Sequence, residues 1–153
     1  MKSIAHQIDA MKKRWPHFTN TQPTSSSVVW FGDLVGIQKP YRIMIDYDLR
    51  RAEAAIGLPQ FVPMVTVLSP KLTPNSEAIE EAPLPHVYFD QKEICNSWLC
   101  LFDPAANEWS PKQLVADTIV PWAAEWLASY EGWQATGRWY SGGRHAQPLA
   151  KVA

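Results

Sequence analysis

The sequence predicts an α+β fold in a single domain spanning residues 1–153. Three observations carry this. The first segment places apolar residues at helical spacing, three strand-like runs then follow one another across short links, and the chain after Pro111 returns to helical spacing. Helices segregated from a run of sequential strands are the pattern of an α+β domain.

Residues 3 to 15 read as an amphipathic helix. Ile4, Ile8, Met11 and Trp15 share one face, and Lys12, Lys13 and Arg14 sit at the end where positive charge suits the helix dipole. Pro16 marks its end. The polar run TNTQPTSSS reads as a loop or an irregular edge strand.

The runs at 28–35, 41–48 and 63–70 read as strands of an antiparallel meander with one face covered. In the second, Tyr41, Ile43, Ile45 and Tyr47 alternate with Arg42, Met44, Asp46 and Asp48. GIQKP links the first two at hairpin length.

Residues 71–93, acidic and proline-rich, read as a long surface crossover at the sheet edge, and Glu77, Glu80 and Glu81 as solvated. Long segments of this kind inside compact domains tend to serve function. After Pro111, Leu114, Thr118, Trp122, Trp126 and Tyr130 fall four apart. Pro121 cannot stand mid-helix, so it is placed in the first turn of a second helix capped near Thr118. Gly132 and Gly137 are expected to end regular structure. The tail is expected to wrap back with Trp139 as an anchor.

Composition excludes several function classes. Hydrophobic residues make up 46% and charged residues 19% of the 153, a balance that supports a packed core. A formal net charge of −1 provides no basic field, so direct nucleic-acid binding is not expected. No apolar run approaches the roughly 20 residues that span a bilayer, and the N-terminal segment lacks the apolar run of a secretory signal. Two cysteines five apart are no disulfide framework. Free thiols in a reducing, cytoplasmic setting are the expectation. No phosphate-binding glycine loop is present and no cofactor is expected. The eight Trp read as core, with Trp126 and Trp133 the pair that an exposed patch would use.

Both cysteines fall in one stretch, EICNSWLCLFDPAANEWSP, residues 93 to 111. Cys100 lies between Leu99 and Leu101, ahead of the turn Trp109-Ser110-Pro111. Taken alone, it is either a small buried apolar residue or a nucleophile. A metal site built from Cys95, Cys100 and His86 falls short of the usual four structural zinc ligands.

The order of elements and these motifs resemble the ubiquitin-conjugating (UBC) fold. In that family a last strand and a Pro-rich segment lead to a His-Pro-Asn motif, then to a catalytic Cys, then to Trp-Ser-Pro and a helix. VPMVTVLSPKL is similar to the strand and its exit, His86 in PHVYF to the motif's His, WLCLF to the catalytic segment, and NEWSPKQLVADTI to the turn and helix. The longer run LCLFDPAANEWSP…ADTIVPWAAEWLASYEGWQATGRWYSGGRH is similar to the stand-alone ubiquitin-conjugating-like proteins of bacterial anti-phage CBASS operons.

That resemblance implies a transferase with Cys100 as nucleophile and His86 beside it. It implies a Cys100 thioester with the C-terminal glycine of a cGAS-like cyclic-oligonucleotide synthase, passed on to an acceptor so as to regulate the synthase. No separate activating enzyme is implied in the short operons. The alternative is a non-catalytic UBC-like scaffold that docks the synthase. His86 either pins the crossover by hydrogen bonding or acts as a base. His145 in GGRH reads as a packing or partner contact, and Cys95 as a structural or incidental thiol. Two departures stand out: Val87 and Tyr88 occupy the places of the family's Pro and Asn, and the segment from His86 to Cys100 is longer than usual. Asn96 is the residue nearby that could fill in for the missing Asn.

Overall fold

The structure, a computed structural model, describes residues 1–54, 63–90 and 93–141. It is mixed α+β. Helix α1 is Ile4–Arg14, and four strands follow: β1 (Thr19–Asn20), β2 (Ser27–Val35), β3 (Pro40–Asp48) and β4 (Met64–Ser69). They form one antiparallel sheet in the order β1-β2-β3-β4, the meander that the alternation predicts.

Tyr41, Ile43, Ile45 and Tyr47 all point into the core from β3, with Ile43, Ile45 and Tyr47 fully buried. Each aliphatic side chain buried this way contributes about 1.5–3 kcal/mol. On α1, Ile4, Ile8 and Met11 are buried as the spacing predicts. Ser3 caps that helix by accepting the His6 amide. Gln7, between the apolar positions, is buried as well. Its amide donates to the Gln113 carbonyl at 2.9 Å and accepts the Val115 amide at 2.9 Å. One side chain thus fastens α1 to the segment that precedes the last helix.

That last helix, α3, is Ile119–Thr136. Pro121 is its third residue, where a missing N–H leaves no intrahelical bond unmade. Gly132 does not end the helix, contrary to the sequence expectation. The turns around it are held by buried Tyr130 and Trp133, which outweigh the ~1 kcal/mol that glycine costs inside a helix. Gly137 does end it, in the left-handed conformation at φ 74°, with its amide bonded to the Trp133 carbonyl at 2.7 Å.

Three elements were not expected. A short helix α2, Leu49–Ala54, follows β3 directly, started by the Asp48 carboxylate, which accepts the Arg50 amide at 2.9 Å. The segment expected as a single surface crossover, 71–93, ends instead in a strand. Val87–Asp90 and Glu93–Leu99 form an antiparallel pair, β5 and β6, with β6 lying against β4.

Glu131 joins α3 to the turn between β2 and β3. Its carboxylate accepts the amides of Ile37 and Gln38 at 2.9 Å and of Lys39 at 3.1 Å. Burial pushes this carboxyl up, but the three amides outweigh burial and hold it below its ordinary value. A carboxylate with a lowered folded pKa stabilises the fold above its unfolded pKa, and that contribution is lost as pH falls through the folded pKa. Glu131→Gln is expected to lower stability at pH 7 by about 1–2 kcal/mol and to flatten the acid limb of unfolding. Thermal melts of both proteins between neutral and acid pH check it; an equal loss at every pH contradicts the assignment.

Candidate active site

The β5–β6 pair positions Cys100. Val87 pairs with Leu99 and Tyr88 with Trp98. One step beyond the strand, the Cys100 amide donates to the His86 carbonyl at 2.9 Å, so the backbone of the cysteine is still held by the ladder. Its side chain is half-buried and lines a cleft of about 490 Å³.

The loop after Cys100 is braced by its own side chains. The Asp103 carboxylate accepts the Ala105 amide at 2.9 Å, and Glu108 accepts the Asp103 amide at 2.7 Å. The Trp109-Ser110-Pro111 turn then locks the loop to the core. Trp109 packs edge-on against Tyr47 and its indole donates to the Thr118 hydroxyl at 3.0 Å. Thr118 in turn donates to the Leu114 carbonyl at 2.8 Å, so it starts α3 without a capping bond from its side chain to the helix. The Pro111 carbonyl accepts the Lys2 amide at 2.8 Å, and Gln113 accepts the Ser110 amide.

α3 holds the other wall. Trp126, Tyr130 and Trp133 lie on one buried face, i, i+4 and i+7, and each spends its polar atom on the crossover. Trp126 donates to the His86 carbonyl at 3.1 Å, Trp133 donates to the Glu80 carbonyl at 2.8 Å, and the Tyr130 hydroxyl accepts the Thr73 amide at 2.7 Å. The indoles expected as a candidate exposed patch are therefore buried, with their N–H groups turned to the crossover. Glu80, expected as a solvated charge, accepts the Trp139 amide at 3.0 Å.

His86 sits where these walls meet. Its backbone is left-handed, at φ 40°, a conformation that a residue with a side chain adopts only where its surroundings impose it. Its one carbonyl takes both the Cys100 amide and the Trp126 indole. Its ring is stacked on Trp139, with centroids 5.0 Å apart, and its Nε2 lies 3.9 Å from the Glu81 carboxylate. Trp139 thus packs back against His86 and Trp126, while residues 142–153 of the tail expected to wrap back lie outside the described residues. Asp103, Glu108 and Glu125 also line the cleft, which makes its mouth acidic and unsuited to an anionic ligand.

The cysteine sulfur lies 3.3 Å from the Tyr88 hydroxyl, to which the thiol donates. Tyr88 stacks on Trp98, its cross-strand partner, with centroids 5.9 Å apart. Burial, then the nearby Cys100 and Asp103, holds the Tyr88 phenol above its ordinary pKa. In the sequence Tyr88 stands out only as a departure from a motif. The side chains of Cys95 and Asn96, and all of His145, lie outside the described residues.

A half-exposed thiol on a braced backbone, in a cleft lined by aromatic rings, can present a nucleophile to a bound electrophile. The family model described as E2-CBASS, Type II CBASS E2 protein, matches residues 7–146. The chain belongs to that family. No match is found among curated proteins or among solved structures. The match runs from within α1 to beyond the end of α3 and takes in every residue that lines the cleft, so the cleft is part of the family's domain and not an appendage to it. Membership of the CBASS E2 family agrees with the α+β order of the elements. Among the described residues no helix is long and apolar enough to cross a membrane.

Proposed function

We propose that this CBASS E2 protein is an acyltransferase that carries, as a thioester on Cys100, the C-terminal glycine of a cGAS-like cyclic-oligonucleotide synthase, and passes it to an acceptor, thereby regulating the synthase. The single observation that carries the reading is the Cys100 thiol: half-buried, at the edge of a cleft, with its amide pinned to the His86 carbonyl. The carboxyl arrives activated, as a thioester or acyl adenylate. The thiol gives up its proton to solvent as the sulfur adds to the carbonyl carbon, the leaving group departs with its bonding pair, and the new C–S bond remains. A chain ending in glycine suits such a site because it brings no side chain between the carbonyl and the aromatic walls. The acidic mouth suits an amine as the acceptor, and His86 holds the cysteine segment through its backbone while its ring closes one wall.

A peptide with the synthase's C-terminal sequence, supplied as a C-terminal alkyl thioester, tests the reading. Wild-type protein is expected to take the acyl group in a form that a reducing thiol removes. Cys100→Ser is expected to react far more slowly, because a hydroxyl is a weaker nucleophile than a thiolate. The adduct that it forms is an oxyester, which resists reducing agent and breaks in mild base. Denaturing gels and mass spectrometry follow both. A protein that binds the peptide and never acylates is a scaffold, and the transferase reading is then wrong.

A further inference from the structure

The reaction proposed above passes through a tetrahedral intermediate, whose oxygen takes a full negative charge and needs a hydrogen-bond donor. The strand register that sets Tyr88 opposite Trp98 turns the Tyr88 hydroxyl to within 3.3 Å of the Cys100 sulfur. We infer that Tyr88 supplies that donor. The inference rests on the thioester reading of Cys100.

The geometry follows from covalent structure. In acylated Cys100 the carbonyl carbon is one bond from the sulfur and the oxygen two bonds away. The oxygen therefore falls within the shell around the sulfur in which the Tyr88 hydroxyl stands. The thiol proton that now points at Tyr88 is gone in the thioester, so the hydroxyl turns from acceptor to donor. In transfer, the acceptor's amine attacks the carbonyl carbon and the C=O π pair moves onto oxygen, where Tyr88 donates. The pair then returns, the C–S bond breaks, and Cys100 leaves as thiolate while the amine's proton passes to solvent. Tyr88 keeps its proton throughout, consistent with a phenol whose burial holds its pKa above the ordinary value. The stack on Trp98 fixes the ring that carries the hydroxyl.

Tyr88→Phe keeps the ring and removes only the donor. With a glycine-ended peptide thioester as acyl donor and free lysine as acceptor, we expect loading and discharge of Cys100 to slow by roughly 10²-fold. Alkylation of Cys100 by iodoacetamide forms no oxyanion and is expected to proceed at the wild-type rate. Ring-fluorinated tyrosine placed at 88 keeps the shape and acidifies the hydroxyl. Its discharge rate should fall at an alkaline pH where the wild type's does not, and this reading stands in for Tyr88→Phe if that variant fails to fold. Tyr88→Phe transferring at the wild-type rate overturns the assignment, as does alkylation slowed as much as transfer, which makes Tyr88 a determinant of thiol reactivity alone. An unchanged pH profile for the fluorinated protein overturns it too. A wild-type protein that takes no acyl group at all removes the thioester reading and this inference together, an outcome distinct from the failure of Tyr88 alone.

Discussion

Cys100→Ala is expected to abolish acyl transfer while the protein remains folded. The thiol is the only group of this side chain that the proposed reaction uses, so its removal takes away the attacking atom. The fold does not depend on it. Cys100 is half-buried, its amide bond to the His86 carbonyl is made by the backbone, and alanine retains both the amide and the Cβ. The melting temperature is expected to stay within a few degrees of wild type, since trimming one half-buried sulfur costs about 1 kcal/mol and a domain of this size shifts by about 2–4 °C per kcal/mol. Rate is read by single-turnover transfer from the peptide thioester, and fold by thermal melting. Transfer by folded Cys100→Ala at any appreciable fraction of the wild-type rate excludes Cys100 as the nucleophile.

Trp126→Ala carries the largest expected effect on stability. The indole is 4% exposed, stacks on Tyr130 at 5.4 Å and meets Trp139 at 5.6 Å. Removing it opens a cavity of indole size and costs about 3–5 kcal/mol, on the order of 10 °C in melting temperature. It also breaks the tie between α3 and the His86 carbonyl, so the cleft loses a wall and the cysteine segment loses a brace. Trp126→Phe separates the two losses. It retains most of the packing and gives up the N–H, a loss of about 1 kcal/mol because His86 still accepts the Cys100 amide. Melting curves and transfer rates of the two variants check this. A Trp126→Ala protein as stable as wild type contradicts the place given to the indole.

Much of this architecture is legible in the sequence where one physical signal dominates. In β3 strict alternation of Tyr41, Ile43, Ile45 and Tyr47 gives the strand and its buried face together. In α1 the spacing of Ile4, Ile8 and Met11 does the same, but Gln7 does not announce itself. A buried amide is recognisable only once its two backbone partners, 106 and 108 residues away, are in place. β5 and β6 escape for another reason. β5 is short, and both follow a proline-rich stretch and pair chiefly with each other, so neither composition nor period separates them from the crossover. Gly132 misleads because its local cost is visible in the sequence, whereas the burial of Tyr130 and Trp133 on either side of it is not.

The candidate site divides in the same way. Cys100 and His86 stand out by their motif surroundings, and the structure brings both to one cleft. What the motif leaves open is how His86 serves. Its carbonyl, which no sequence reading can single out, takes two hydrogen bonds, while its ring packs on Trp139. Tyr88 reads in sequence as the loss of an Asn. Only the register of β5 with β6 turns its hydroxyl toward the sulfur. The tryptophans read as core, and core they are, yet the N–H groups of Trp126 and Trp133 bind the crossover to α3.

The central claim is that Cys100 carries an acyl group as a thioester, and the most direct measurement is the mass of the acylated protein with the adduct located along the chain. Wild-type protein is incubated with the glycine-ended peptide thioester, its intact mass is taken with and without reducing thiol, and fragmentation assigns the added mass. One increment equal to the acyl group is expected, on Cys100, lost in the presence of the reducing thiol. An increment on Cys95 or on lysines with none on Cys100, or no increment under conditions where the peptide is bound, contradicts it.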